Sequence, residues 1–257
     1  LQDRLPRTYL SLGMIDYKQR HFGAAAEWFK QVDASSEFYP QARLFLAQSL
    51  AAEKRFKEAL NVLDKTKVDE RLQTEFLYKK AQILYEQGSI GPSYKAMKQA
   101  LETDPDNATL LYQCAIVANE LHRLSEAEKY LQDAINFHPN EADFYNTLGY
   151  LWVDNNVKLD QAQSLIEKAL EMKPDNAAYL DSMGWLLFRK GQLAEAQKYL
   201  EKAVSLLKDK EILLHLAELY QVQGKTQKAM EILRPMLREN ADDPVVNALM
   251  DRLHLRF

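Results

Sequence analysis

A period of 34 residues runs through the chain and constrains its fold more than any other feature of the sequence. Small residues recur at spacings of 33 to 35 residues, at Gly13, Ala47, Ala81, Ala115, Gly149, Gly184 and Ala217. A second series keeps the same spacings, at Ala25, Ala59, Ser93, Ala127, Ala162, Ala196 and Ala229. Two registers that keep one period over seven copies indicate a repeat protein, in which each unit buries its apolar face against its neighbours.

Each repeat has the pattern of two amphipathic helices. In the sixth copy, apolar residues at helical spacing cover residues 177–190, Gly191 follows, and a second apolar stripe covers residues 193–207. The same turn position holds glycine, which can adopt the left-handed conformation at the end of a helix, at Gly88, Gly191 and Gly224. Prolines at the repeat junctions predict the end of each second helix, at Pro105, Pro139 and Pro174.

We therefore expect an all-α fold, a right-handed α-solenoid of about seven helix-turn-helix repeats with a C-terminal capping helix at 244–257. Residues 1–257 are expected to form a single array. The expected repeats cover residues 6–39, 40–73, 74–107, 108–141, 142–176, 177–209 and 210–243. The small residues should lie where the two helices of a repeat meet, because a larger side chain there would force the helix axes apart.

Composition and motifs argue against several classes of function. The net charge is −4 and there is no basic block, which argues against a nucleic-acid partner, and no apolar run is long enough to span a membrane. Cys114 is the single cysteine, and no two histidines have helical ligand spacing, so we expect no metal site. Nucleotide-binding, nucleophile-elbow and zinc-protease motifs are missing too. We predict a protein that is not an enzyme and needs no cofactor.

The repeat resembles the tetratricopeptide repeat (TPR). The TPR pattern of small and apolar residues is matched in the fifth copy by Leu148-Gly149, Trp152, Ala162, Ile166 and Pro174, and in the sixth copy by Met183-Gly184, Leu187, Ala196 and Leu200. The first copy matches with Leu12-Gly13, Ala25 and Phe29. The resemblance covers essentially the whole chain, and it implies a solenoid that binds other proteins.

A narrower resemblance covers two or three repeats. The stretches Leu148-Gly149-Tyr150, Leu159-Asp160-Gln161-Ala162 and Asp181-Ser182-Met183-Gly184-Trp185 are similar to proteobacterial TPR proteins, including outer-membrane lipoproteins that act as adaptors for periplasmic carboxy-terminal processing proteases. This resemblance implies a protein on the periplasmic side of the bacterial outer membrane, with a lipid anchor upstream of residue 1. A cytoplasmic location is the alternative.

The predicted binding surface is the concave groove, which the first helix of each repeat lines. Positions 2, 5, 9 and 12 of that helix form one stripe, and seven of its 28 positions are aromatic where the composition predicts about three. Aromatic side chains flanked by amides and carboxylates suit a protein or peptide partner. The predicted partner-binding residues are Tyr78, Gln82, Tyr85, Tyr112, Asn119, Asn146, Tyr150, Asp181 and Trp185.

The sequence thus predicts a non-enzymatic scaffold or adaptor that holds a partner polypeptide in this groove, across repeats three to six. Two alternatives stay open. The chain could be an accessory or regulatory domain of a larger enzyme, such as a transferase, or a structural module that associates with itself. The identity of the partner and the oligomeric state are not determined by the sequence.

Overall fold

The computed structural model describes residues 4–255, and these residues form fifteen α-helices and no strands. The all-helical solenoid fold predicted from the repeat is confirmed. The helices are α1 (Arg4–Lys18), α2 (Phe22–Lys30), α3 (Tyr39–Ala52), α4 (Phe56–Lys65), α5 (Glu70–Glu86), α6 (Ile90–Thr103), α7 (Ala108–Glu120), α8 (Leu124–Phe137), α9 (Ala142–Asp154), α10 (Leu159–Met172), α11 (Ala177–Arg189), α12 (Leu193–Leu206), α13 (Lys210–Val222), α14 (Thr226–Glu239) and α15 (Pro244–Arg252).

The chain divides into two compact units, each a stack of antiparallel helix pairs. The first unit ends at Phe137 and contains α1 to α8, and the second begins at His138 and contains α9 to α15. The odd-numbered helices are the first members of the pairs. The expected capping helix is observed as α15, which ends at Arg252, and the described residues 253–255 after it are not helical. Residues 256 and 257 of that expectation lie outside the described residues, as do residues 1–3 of the expected array.

The turns within the pairs follow the sequence pattern. Gly88, Gly191 and Gly224 lie just after the first helix of their pairs. Their φ angles of 82°, 77° and 74° are in the left-handed region of the backbone. At two junctions an asparagine caps the next helix: the Asn107 side chain accepts a hydrogen bond from the Leu110 amide at 3.0 Å, and Asn176 accepts one from the Ala178 amide at 2.9 Å. These caps begin α7 and α11.

The small-residue series lie where the two helices of a pair touch. A Cβ atom added to Gly184 would stand 2.6 Å from Cγ of Leu200, on the other helix of its pair. In the third pair, the hydroxyl of buried Ser93 donates a hydrogen bond to the carbonyl of Ala81 at 2.7 Å, so one small residue bonds directly to another. Close helix contact explains the period, because each repeat must keep a small side chain at the same two points.

Candidate functional site

The first helices of successive pairs form an open cleft in the second unit. It has a volume of about 900 Å³. The cleft is lined from α9 by Tyr150 and Asp154, from α11 by Trp185 and Arg189, from α13 and the residue before it by Asp209, Lys210, Glu211, Leu214, His215 and Glu218, and from α15 by Pro244, Val245, Ala248, Leu249 and Arg252. These four helices contact one another in sequence, α9 with α11, α11 with α13, and α13 with α15. Equivalent faces of neighbouring repeats therefore make one continuous surface.

A stack of rings forms the floor of the cleft. Trp185 is only 6% exposed, and its ring stacks on His215 with centroids 4.2 Å apart and on Phe188 with centroids 4.8 Å apart. The indole Nε1 of Trp185 is buried and has no hydrogen-bond partner among the described residues. Trp185 is therefore a rigid part of the floor of the cleft rather than a ring that projects into solvent.

Asp181 and His215 form a buried polar pair beneath this surface. Nδ1 of His215 lies 3.0 Å from both carboxylate oxygens of Asp181. Burial raises the pKa of Asp181, and the hydrogen bond from His215 opposes that rise. Since the pair holds His215 through Nδ1, the orientation of the imidazole in the cleft is fixed.

The hydroxyl of Tyr150 donates a hydrogen bond to the carboxylate of Glu211, and this bond holds Tyr150 at the rim of the cleft. Burial raises the pKa of Tyr150, and the nearby charges of Glu211, Asp154 and Asp181 raise it further. The phenol therefore stays protonated, with one carboxylate bound to its hydroxyl and the negative charges of two more acting on it.

The other predicted site residue of the second unit, Asn146, is buried on α9, and its Oδ1 has no hydrogen-bond partner among the described residues. Thus two of the four predicted residues of this unit, Tyr150 and Trp185, line the cleft, and Asp181 supports it through His215.

The remaining predicted residues lie in the first unit, on α5 and α7. Tyr78, Tyr112 and Asn119 are half-buried. Gln82 is also half-buried and accepts a hydrogen bond from Nζ of Lys79 at 2.7 Å. Tyr85 is exposed and donates a hydrogen bond to Glu120 on α7 at 2.9 Å. Their role in binding stays a prediction.

Sequence reasoning missed His215 and the contribution of α15. His215 directly follows a position of the predicted stripe, Leu214, and it lies 34 residues after Asp181. That spacing of one repeat could have signalled the pair, since it places two residues side by side on neighbouring first helices. The capping helix was expected to cover the last apolar face, yet Val245 on it is 53% exposed and lines the cleft.

Two sequence models described as tetratricopeptide repeat match this chain. One matches residues 84–149 and 187–253, slightly more than half of the chain, and the other matches residues 10–71 and 154–204. The chain belongs to the tetratricopeptide repeat family. TPR proteins typically mediate protein–protein interaction and are generally non-enzymatic scaffolds.

Among known proteins, a TPR repeat-containing protein of Pseudomonas aeruginosa is 31% identical to this chain over 211 residues. The match includes 82% of this chain and 36% of the relative, so the chain spans about a third of the relative's length.

Solved structures share the TPR fold with this chain. A TPR protein from Parabacteroides merdae has a TM-score of 0.78 and 13% identity, covering 98% of this chain and 99% of its own. The TPR protein TTC0263 of Thermus thermophilus has a TM-score of 0.62 and 20% identity, covering 70% and 98%. YrrB, described as a TPR protein with an unusual peptide-binding site, has a TM-score of 0.53 and 23% identity, covering 76% and 96%.

The described residues contain neither a candidate metal-binding group nor a candidate membrane-spanning helix. Among residues 4–255, no three histidine, cysteine, aspartate or glutamate side chains converge as a metal-binding group. In the same residues, none of the helices combines the length and the apolar character that crossing a bilayer requires.

Proposed function

We propose that this TPR protein is an adaptor that binds a segment of a partner polypeptide in the cleft of its second unit. The observation that carries the proposal is the continuous lining of this cleft by four successive first helices. Its surface combines aliphatic side chains, such as Leu214 and Val245, with the rings of Tyr150 and Trp185. An open apolar surface with polar groups at its edges is typical of a peptide-binding groove.

The rigidity of the cleft supports binding rather than catalysis. Trp185 is held by stacking, His215 by Asp181, and Tyr150 by Glu211. A surface whose side chains are already ordered loses little conformational entropy when a partner binds. The adaptor would thus hold its partner in a defined position through a preformed surface.

Site-specific photo-crosslinking in the cells that produce the protein tests this proposal. A photoreactive phenylalanine analogue placed at Val245 should form an adduct with another polypeptide. The matched control is Val222 on α13, which is also 53% exposed but does not line the cleft. If position 245 gives no more polypeptide adduct than position 222, the cleft is not the binding surface.

We further propose that the partner is an envelope protease or a cell-wall enzyme, and that the adaptor works at the periplasmic side of the outer membrane. The support is the similarity of the stretches 148–150, 159–162 and 181–185 to proteobacterial lipoprotein adaptors. Fractionation of cells that express the complete gene tests the location. Recovery in the cytoplasmic fraction would reject it. A catalytic domain elsewhere in the complete gene would instead favour the alternative, an accessory or regulatory domain of a larger enzyme.

A further inference from the structure

The charged residues of the cleft restrict the chemistry of its partner. Two of its basic side chains are already neutralised, because Arg252 forms an ion pair with Glu218 at 2.5 Å and Lys210 forms one with Asp243 at 2.6 Å. The third, Arg189, lies over the ring of Trp185, with its guanidinium carbon 5.8 Å from the ring centroid. Two of the three basic side chains of the lining are thus paired, and Arg189 keeps its charge beside the ring of Trp185.

The acidic side chains are less fully paired. Glu211 and Asp154 are exposed, and neither forms an ion pair with a basic side chain of the described residues. Both carboxylates raise the pKa of Tyr150, and Glu211 accepts a hydrogen bond from the Tyr150 hydroxyl. Because this hydroxyl satisfies only one acceptor position of a carboxylate that has about four, Glu211 can still accept from a partner.

His215 lies in the same region and is part of the cleft lining. Its Nδ1 is 3.0 Å from each carboxylate oxygen of Asp181, so Nε2 is the ring nitrogen that faces a partner. The exposed carboxylates of Glu211 and Asp154 favour a cationic donor over an anion, and the ring of Tyr150 adds to this preference.

An aliphatic surface lies beside this acidic region. Leu214 on α13 and the α15 residues Val245, Ala248 and Leu249 line the cleft. The exposed Val245 side chain buries apolar area only when a partner covers it, and that burial is favourable. A partner that satisfies both regions must present a basic side chain next to an aliphatic one.

We propose that the cleft binds a polypeptide segment whose Lys or Arg side chain reaches Tyr150, Glu211 and Asp154 while a neighbouring aliphatic side chain packs on Leu214 and Val245. This inference rests on the proposed function and adds the chemistry of the partner. An acidic segment would place its carboxylates against Glu211 and Asp154, which is unfavourable.

Selection from a random library of displayed dodecapeptides, followed by fluorescence anisotropy with the selected peptides, tests the inference. We expect the selected peptides to be enriched in Lys or Arg next to Leu, Ile or Val. The double variant Glu211→Gln with Asp154→Asn should weaken their binding about tenfold. Added salt should weaken binding to the wild type more than binding to this variant.

The matched control is the double variant Glu171→Gln with Asp242→Asn, which removes two exposed carboxylates of the second unit that do not line the cleft. Its affinity should stay within about twofold of the wild type, since a surface charge outside the contact contributes little. Equal losses in both double variants would mean that only the net charge matters, and would overturn the assignment to Glu211 and Asp154.

Other outcomes would contradict the proposed chemistry of the partner, and each of them can be told apart from a failure of the proposed function. Selected peptides without a basic residue would show a binding cleft of different specificity. A library without any binder would exclude a short segment of this chemistry, while crosslinking at position 245 would still report separately on the proposed function. A dimer in analytical ultracentrifugation that Val245→Glu dissociates would make a second copy of the chain the occupant of the cleft.

Discussion

His215, which lines the cleft, lies side by side with Asp181 beneath it, and the two residues are 9% and 5% exposed. Nδ1 of His215 is 3.0 Å from each carboxylate oxygen of Asp181. Burial raises the pKa of Asp181, so the loss of hydration outweighs the hydrogen bond from His215. The ionised carboxylate is therefore destabilising to the folded protein, although it orients the histidine.

This cost predicts a pH dependence of stability. The folded protein holds the Asp181 proton more tightly than the unfolded chain, whose carboxyl has a pKa near 3.8. Protonation of Asp181 therefore stabilises the folded protein fully below about pH 3.8. This stabilisation is lost as the pH rises through the higher folded-state pKa of Asp181. Hence the free energy of unfolding of the wild type should fall relative to that of Asp181→Asn as the pH rises above about 3.8.

Urea titrations at several pH values measure this difference. Repeating the comparison in a His215→Gln background shows whether the pH dependence persists without the histidine side chain. A difference between wild type and Asp181→Asn that stays constant or grows with pH would contradict the direction of the Asp181 pKa shift.

Gly184→Ala should destabilise the protein by about 1–3 kcal/mol, because the added methyl group would overpack the helix contact. A Cβ atom there would lie 2.6 Å from Cγ of Leu200 and 3.2 Å from the Leu200 amide nitrogen. The matched control is Gly91→Ala on α6, where nothing lies within 4 Å of the added Cβ. That control should leave stability unchanged or raise it by up to about 0.5–1 kcal/mol. Thermal unfolding followed by circular dichroism measures both, and a loss shared by both would count against the close contact.

Asn176→Ala should cost about 0.5–2 kcal/mol, because it removes the side-chain cap of α11. Asn176 Oδ1 accepts hydrogen bonds from the amides of Ala178 at 2.9 Å and Tyr179 at 3.3 Å. Gln192 occupies the same position before α12 but makes no side-chain cap hydrogen bond. Gln192→Ala should therefore change the free energy of unfolding by less than about 0.5 kcal/mol in urea titrations. Similar losses in the two variants would show that helix propensity, not the cap, is responsible.

Cys114 should be inert in the folded protein. The side chain is fully buried, and this burial raises the pKa of the thiol to about 12. At pH 8 the reactive thiolate is then scarce as well as inaccessible. An Ellman assay should detect no free thiol in the native protein and one thiol per chain in guanidinium chloride. Rapid native labelling would contradict the core position.

The repeat period was enough to predict the helices and their contacts. Gly184, Ala196 and Ser93 occupy positions where only a small side chain fits, and this local requirement recurs at each repeat. Turn glycines and junction asparagines act within one or two residues of their own backbone, so their positions could be interpreted without the tertiary structure.

The candidate site was predictable only in part. The helical stripe identified Tyr150 and Trp185, because the spacing of a helix determines which residues share a face. The stripe could not show that Trp185 is buried by stacking on His215 and Phe188, since that depends on the rotamers of side chains from two helices.

The amino-acid sequence alone determined that this protein is a TPR solenoid of paired helices, because its period imposes the same short-range packing in every repeat. Only the tertiary structure decided which side chains form the cleft and how their charges are paired. Asp181 meets His215 and Tyr150 meets Glu211 across different helices. The partner that the cleft can bind depends on which charged side chains are left without an ion-pair partner. That set is determined by distances between residues of different helices.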